Sequence, residues 1–359
     1  MKKKLIGLFS IFLAIVTLTS CDGYKLARTR KITNEITQSP VVLKTALAEQ
    51  PDFGDFLKDF KSGYLIPGLL EGVIPQGICY DETTGYFLIS GYYEKGKFPS
   101  VIMALGGKDG KFIGAYPLKT TNGDDYYGHA GGIAASQNTV YLTSEGECYT
   151  FPSAILKTLK NGEALQFQSK FKLNTAGSFA YMNANTLWVG DFVEDDSKVK
   201  EEITDLTTLE NGETFYAYCE GYTLIDGLPN IKQINSDSSG YIPDYMLAIP
   251  DQVQGMAFTK TNKIIFSTSY GRKNNSKLYI YEDIFLNEKS GTKIIDGKEV
   301  ELFACSSKYL NREIVAPPMT EGMAANTNGI YLLFESGANI YRSGGGKHPV
   351  DTLFVSTIE

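Results

Sequence analysis

The sequence predicts an all-β chain folded as a β-propeller, and three observations support this prediction. Tyr, Phe and Gly are abundant, with 23, 20 and 36 copies in 359 residues. Strand-like apolar runs follow one another between polar turns, whereas helical periodicity is scarce. A short motif, in which a small residue is followed by a polar turn and an apolar run, recurs five times. Aromatic residues suit strands and Gly suits the turns between them, so composition and repeat agree.

The repeat is clearest in two stretches, QVQGMAFTKTNKIIFSTSYG at 252–271 and MTEGMAANTNGIYLLFESGANIY at 319–341. The five repeats open on the small residues Gly77, Gly132, Ala180, Gly255 and Gly322. Their spacings of 55, 48, 75 and 67 residues each suit about four short strands, which is one propeller blade. We therefore expect five four-stranded blades. Six blades are the alternative, if residues 193–250 form a degenerate one.

The last repeat has only three predicted strands, so its outer strand must come from elsewhere. The run GYLIPGL at 63–69, just before the first repeat, is the candidate. Closing the ring with strands from both ends would leave no exposed sheet edge. The small residue of each repeat would allow the first strands to approach closely near the propeller axis.

The first twenty residues have the order of a signal peptide: three Lys, an apolar stretch and then Leu-Thr-Ser before Cys21. This resembles the lipobox of bacterial lipoproteins. It implies removal of residues 1–20, acylation of Cys21 by chains such as palmitate, and anchoring to a membrane of the bacterial cell envelope, facing the periplasm or the cell exterior. An ordinary secretory signal peptide is the alternative. Residues 21–62 are then expected to be anchor, tether and short helix, and residues 63–359 the propeller.

The net charge of the chain bears on which partners it can bind. Removing residues 1–20 deletes three Lys and no acid, so the net charge changes from −7 to −10. An acidic chain disfavours nucleic acid, because phosphate binding needs clustered Lys and Arg.

The sequence leaves open whether the later cysteines form disulfides or are buried free thiols. They are Cys79, Cys148, Cys219 and Cys305.

Aligning the repeats places polar residues at one end of the first strands: Gln76, His129, Ser178, Gln254 and Glu321. If the first strands begin at the mouth of the central channel, these side chains form a ring there, which favours a binding site. The alternative is that they cap strand ends and hold water. His129 and Glu321 are the candidate catalytic residues, because facing each other they could form an acid/base pair.

More polar residues lie near the ends of the second strands. We expect Glu335 and Tyr270 to contribute to ligand binding. Arg272, two residues after Tyr270, is a candidate anion clamp at the channel mouth.

The openings PQG, VQGM and TEGM resemble the EG openings of the six-bladed propeller superfamily of SMP-30/gluconolactonase/strictosidine-synthase-like and TolB-like proteins. The resemblance covers residues 63–359 and consists of the way these openings recur along the chain. It implies a propeller and, from the lactonase-like members, a divalent metal such as calcium in the axial channel. Glu321 matches the acidic ligand of those members and Asp191 is a second candidate, whereas Gln76 and Gln254 replace the acid in two other repeats.

Two classes of function follow. The first is a binding module of the cell envelope, with a small molecule, a glycan or an envelope protein as its partner. The second is a metal-assisted hydrolase of lactone or ester type, with Glu321 and Asp191 as metal ligands and His129 as general base. The first is favoured, because a hydrolase needs more charge in the channel than these residues supply. Whether the protein is an enzyme stays open.

Overall fold

The structure is a computed structural model that describes residues 20–21, 24–28, 31–230 and 233–359. The predicted signal peptide, apart from Ser20, lies outside this part of the chain, and only the backbone of Cys21 is described. None of the helices in the described ranges has the length and apolar character needed to cross a membrane. Strands dominate and are arranged as a β-propeller.

The N-terminal region forms a small sheet and short helices before the propeller begins. Numbered along the chain, the sheet contains β1 (Ser20–Cys21), β2 (Tyr24–Leu26) and β3 (Val42–Lys44). Two 3-10 turns (Leu47–Glu49 and Pro51–Phe53) and α1 (Gly54–Asp59) follow. They lead into β4 (Phe60–Leu65), which belongs to the last propeller sheet.

Each predicted repeat opens a separate sheet of four or more strands. The first contains β5 (Val73–Asp81), β6 (Tyr86–Tyr93), β7 (Val101–Gly106), β8 (Phe112–Lys119) and β12 (Leu165–Gln166). The second contains β9 (Gly132–Ser136), β10 (Thr139–Ser144), β11 (Glu147–Pro152) and β13 (Ser169–Lys172). The third contains β14 (Phe179–Asn183), β15 (Thr186–Gly190), β18 (Ala217–Ile225), β19 (Leu228–Pro229), β20 (Tyr245–Ile249), β24 (Gly291–Ile295) and β25 (Lys298–Ala304).

The last two sheets complete the arrangement. The fourth contains β21 (Val253–Phe258), β22 (Ile264–Thr268), β23 (Ser276–Tyr281) and β26 (Leu310–Ala316). The fifth contains β27 (Thr320–Asn326), β28 (Gly329–Phe334), β29 (Thr352–Ser356) and β4. The connections carry a hairpin, β16 (Thr207–Thr208) and β17 (Thr214–Phe215), and the helices α2 (Ser197–Glu202) and α3 (Asn339–Ser343).

The first strands of the five sheets pack side by side in a closed ring, in the order β5, β9, β14, β21 and β27. Small residues allow this approach. A Cβ atom on Gly132 would lie 2.5 Å from the backbone nitrogen of Ala180 in the next sheet and 2.3 Å from the hydroxyl of Thr143. The repeat glycine at this position therefore has the structural role expected from the sequence.

The prediction of uniformly four-stranded blades is wrong for two sheets. In the first, the chain returning from β11 pairs β12 in parallel with the outer edge of β8. In the third, β25 pairs in parallel with the outer edge of β20. Both additions cover a strand edge that would otherwise expose unpaired backbone groups. The six-blade alternative is also wrong, because residues 193–250 supply β18 and β20 of the third sheet rather than a separate four-stranded sheet.

The predicted closure by both ends of the chain is confirmed, although the strand begins three residues earlier than expected. β4 pairs antiparallel with β29, from Leu65 opposite Thr352 to Phe60 opposite Ser356. Helix α1 adds Phe56, which is fully buried and stacks on Phe60 with ring centroids 4.8 Å apart. The predicted boundary between residues 62 and 63 therefore falls inside a propeller strand.

The described part of the predicted tether packs against the last sheet instead of forming a free spacer. The Tyr24 hydroxyl lies 2.9 Å from Nδ1 of His348. The Asp351 carboxylate accepts hydrogen bonds from the backbone N–H groups of Val41 and Val42, both at 2.7 Å. Val41 is fully buried. Apolar residues in this segment gain enough from burial to hold it on the fold.

The four cysteines of the propeller are free and buried, so the structure favours the thiol interpretation over disulfides. They are Cys79, Cys148, Cys219 and Cys305. Burial raises the pKa of each thiol well above its ordinary value, which makes these cysteines poor nucleophiles.

Candidate functional site at the channel mouth

Local irregularities at the start of the first strands aim polar side chains at one end of the channel. The pairing register shifts around Gln76 in β5, Gln254 in β21 and Glu321 in β27, as in β-bulges. A bulge turns a side chain out of the regular strand alternation. The residue that precedes the repeat glycine is therefore re-aimed in three sheets.

The turns before the first strands have a second feature in common. Ala130, Gln252 and Met319 have φ values of 55°, 62° and 66°, which is the left-handed region, and each lies close before the strand that it precedes. Non-glycine residues adopt this conformation at a cost in free energy, so it persists only where the surrounding structure imposes it. These turns fix where the mouth residues point.

A cavity of about 320 Å³ lies at this mouth. It is lined by His129, Ser178, Phe192, Gln254, Ser269, Tyr270, Gly271, Met319 and Glu335. Five of the residues predicted from the sequence are thus brought together, namely His129, Ser178, Gln254, Tyr270 and Glu335. A larger cavity, of about 730 Å³, lies among the far ends of the first strands and includes Asp81 and Gln137.

A pair of buried carboxyl groups lies at the cavity, with Glu335 in its wall. Glu335, in the turn after β28, is 9% exposed and hydrogen-bonds Glu321, which is 2% exposed. The Gln76 amide donates to Oε2 of Glu335 at 3.1 Å and to the Pro75 carbonyl at 2.9 Å. Burial, followed by repulsion from Glu335, raises the pKa of Glu321 well above its ordinary value. Burial also raises the pKa of Glu335, so the two carboxyl groups share one proton in the hydrogen bond between them.

Two tyrosines and an arginine surround this pair. Tyr341 of α3 hydrogen-bonds both Glu335 and Tyr92 of β6. The Arg272 guanidinium lies over the Tyr341 ring, 5.0 Å from its centroid, and its charge also acts on Glu335. Arg272 is therefore a neighbour of the carboxyl pair, and its role as an anion clamp stays a prediction. Burial, with the negative charge of Glu335, raises the pKa of Tyr92 to about 12.

His129 and Glu321 each have a different partner from the one expected. The His129 ring lies 4.7 Å from the Tyr92 ring, centroid to centroid, and the carboxylate that acts on it is Glu145. Burial lowers the pKa of His129, which keeps the imidazole neutral at pH 7. Glu321 instead turns toward Glu335 of its own sheet. The acid/base pairing of His129 with Glu321 is corrected accordingly.

Asp191 follows β15 and is part of another group of side chains. Its Oδ1 accepts a hydrogen bond from the Ala176 backbone N–H at 2.6 Å, and the charged groups that act on it are Glu220 and Lys293. Burial raises the pKa of Asp191 to about 6. Asp191 is thus a backbone-binding group near Glu220, and the structure does not assemble it with Glu321.

The lactonase-like resemblance implied a divalent metal such as calcium, and the donor set does not fit one. Across residues 20–21, 24–28, 31–230 and 233–359, no group of three or more His, Cys, Asp or Glu side chains is placed to hold a metal ion. The two carboxyls at the mouth already bond each other, and the predicted second ligand, Asp191, is bound to Ala176. The residues at the mouth therefore do not support a reaction step through a metal.

Sequence reasoning missed Phe192, Met319 and Tyr341. Phe192 follows β15, and its ring centroid lies 6.2 Å from that of Tyr270. Tyr341 lies in the connection from β28 to β29, whose path across the mouth leaves no periodic signal. Tyr270 is 45% exposed and donates its hydroxyl to Glu194 at 2.9 Å.

No protein-family model and no curated protein matches the chain. Among solved structures, it is similar to the glutaminyl cyclase of Myxococcus xanthus, with 9% identity over 83% of this chain and 94% of that chain and a TM-score of 0.41. It is also similar to the PQQ-bound aldose sugar dehydrogenase of Streptomyces coelicolor, with 13% identity over 82% and 97% and a TM-score of 0.42. A third is the β-propeller domain of Cps50 (Swd1) from Myceliophteria thermophila, with 8% identity over 80% and 97% and a TM-score of 0.34.

These likenesses are too distant to carry an argument about activity. The propeller arrangement rests on the sheet topology and on the ring of first strands. The comparisons do not show the SMP-30-like family to which the repeat openings pointed.

Proposed function

We propose that the protein is a binding module that holds a small polar ligand in the mouth cavity. One observation carries this proposal. The Gln254 amide, the His129 ring nitrogens and the Ser269 hydroxyl line the cavity, and none has a hydrogen-bond partner among the described residues. Polar groups inside a concave site are normally satisfied, so these are available to a ligand.

The dimensions of the cavity agree with this function. Its volume of about 320 Å³ lies at the lower end of the range for small-molecule sites, about 300–1,000 Å³. Phe192 and Tyr270 provide an aromatic wall, and Glu335 of the carboxyl pair also lines the cavity. Groups from several sheets contribute, so the site depends on closure of the propeller, which makes it rigid.

The cellular setting is a further part of the proposal. The signal-peptide pattern supports acylation of Cys21 and anchoring to the cell envelope, and fatty-acid labelling of the chain in a bacterial host is the measurement that tests it. We also propose that each of the five sheets is one blade, which the closed ring of first strands supports. The lactone or ester hydrolase is the weaker alternative, because its metal ligands do not come together.

Filling the cavity should abolish binding. We expect Gln254→Phe to place a ring where the ligand lies, without breaking a hydrogen bond of the fold. The measurement is thermal unfolding of the full chain in detergent with a panel of sugars, amino acids, amines and small organic acids, since a ligand that binds the folded state raises the unfolding temperature.

The matched control is Gln168→Phe, the same change at an exposed residue between β12 and β13. A compound that stabilises the wild type and the Gln168→Phe variant, but not Gln254→Phe, would support the proposal. A panel without any stabilising compound, or stabilisation that survives Gln254→Phe, would contradict it.

A further inference from the structure

The charges around the mouth cavity are mostly negative. Four carboxyl groups contribute three negative charges, because Glu335 in the cavity wall shares a proton with Glu321; the other two are Glu194 on the Tyr270 hydroxyl and Glu145 beside His129. His129 is neutral at pH 7, and Arg272 is the cation that acts on the carboxyl pair. Tyr92 and Tyr341 are uncharged at this pH. Such surroundings attract a positively charged ligand and repel an anion.

The carboxyl pair indicates how a positively charged ligand would be held. Two carboxyl groups buried against each other cannot both ionise, so a proton bridges them. A bound cation that donates hydrogen bonds can take over this role. The bridging proton then leaves to solvent, and the total charge of the site plus ligand stays the same.

The walls of the cavity suit an organic cation better than a metal ion. The Phe192 and Tyr270 rings line it, and aromatic faces attract ammonium groups. Gln254 and Ser178 offer oxygen acceptors to the N–H groups of such a cation. A metal ion would need more oxygen ligands than two carboxylates at the right distance.

We propose that the mouth cavity binds an organic ammonium ion and that binding releases the proton shared by Glu321 and Glu335. The ammonium N–H groups donate to the Glu335 carboxylate, while the carbon body of the ligand lies against Phe192 and Tyr270. This inference rests on the proposed function, because it names the ligand class of the same cavity.

The test is calorimetric titration of the full chain in detergent with butylammonium chloride at pH 7. The matched neutral probe is butan-1-ol, and calcium chloride alone is the metal probe. Titrations in cacodylate and in HEPES, which differ in their heats of ionisation, measure the protons released per ligand. We expect butylammonium to bind at least tenfold more tightly than butan-1-ol, with proton release.

Glu335→Gln keeps the shape of the side chain but has no proton to exchange and no negative charge. We expect it to weaken butylammonium binding at least tenfold and to abolish proton release, whereas Glu202→Gln on the exposed helix α2 should change neither. Thermal unfolding without ligand shows whether each variant is folded. If Glu335→Gln is unfolded, the same comparison is made with Gln76→Leu, which removes the amide that orients Glu335 and should weaken binding.

Several outcomes would overturn the inference: equal binding of butan-1-ol, butylammonium binding that is unchanged in Glu335→Gln, or calcium binding with the same proton release. The proposed function can hold even if the inferred ligand class is wrong. If a neutral compound binds the wild type and is lost in Gln254→Phe while no ammonium ion binds, the cavity is a ligand site and only the ligand class is wrong. If nothing binds, both fail.

Discussion

Gly132→Ala should destabilise the protein by about 2–3 kcal/mol, because the new methyl group has no space between two sheets. Its carbon would lie 2.5 Å from both the Ala180 nitrogen and the Phe179 carbonyl carbon, and 2.3 Å from the Thr143 hydroxyl. Two of these neighbours are backbone atoms of β14, so relief requires the second and third sheets to move apart. The measurement is the free energy of unfolding from chemical denaturation.

Gly54→Ala is the matched control. Gly54 begins α1, has helical backbone angles and has no atom within 4 Å of an added Cβ. Ala is favoured over Gly in helices, so this variant should be unchanged or slightly more stable. If Gly132→Ala proves as stable as the wild type while Gly54→Ala behaves as expected, the first strands are not closely packed at Gly132.

The second large effect is expected for Glu220→Ala, at about 3 kcal/mol. Glu220 of β18 is fully buried, and its carboxylate accepts hydrogen bonds from Asn174 and Thr175. The backbone N–H and the side chain of each of these residues donate to it, at 2.9–3.3 Å. Alanine would leave the buried N–H and hydroxyl of Thr175 without this acceptor, although the Asn174 amide could still donate to Tyr222 and Tyr241, and it would free the connection between the second and third sheets.

Glu147→Ala is the comparison for Glu220. Glu147 is a strand residue of the second sheet whose carboxylate forms an ion pair with Lys170 at 3.1 Å near the surface. Ion pairs at such positions contribute little, so we expect a loss of less than about 1 kcal/mol. Denaturation curves of the two variants at the same pH give the difference. Equal losses would show that Glu220 is not the anchor of residues 174 and 175.

The repeat made much of the fold predictable. Because every repeat must bring a small residue to the crowded axis, the first strand of each sheet is marked in the sequence by Gly77, Gly132, Ala180, Gly255 or Gly322. The outer strands were less predictable. β12 and β25 join other sheets in parallel, and such pairing depends on which edges remain open after the rest has folded.

Three of the mouth residues, Gln76, Gln254 and Glu321, were predictable for the same reason, since the repeat fixes the position before each small residue. Their partners were not. Glu335 meets Glu321 across the β27–β28 hairpin, where the register of β27 shifts, and Tyr24 meets His348 across 324 residues of sequence. Neither the register shift nor the long-range contact is marked by the repeat. The long-range contact also changed the interpretation of the tether, which looks like a linker by composition but packs on the last sheet.

The central claim is that the mouth cavity is where this protein binds its ligand, and the two histidines allow a direct measurement. His129 lines the cavity, whereas His348 lies against Tyr24 and Phe53. We would follow the ring proton resonances of both by NMR while titrating the full chain with a compound that stabilises it. We predict that the His129 signals shift in proportion to binding and the His348 signals stay in place. A ligand that saturates the protein without moving the His129 signals would contradict the claim.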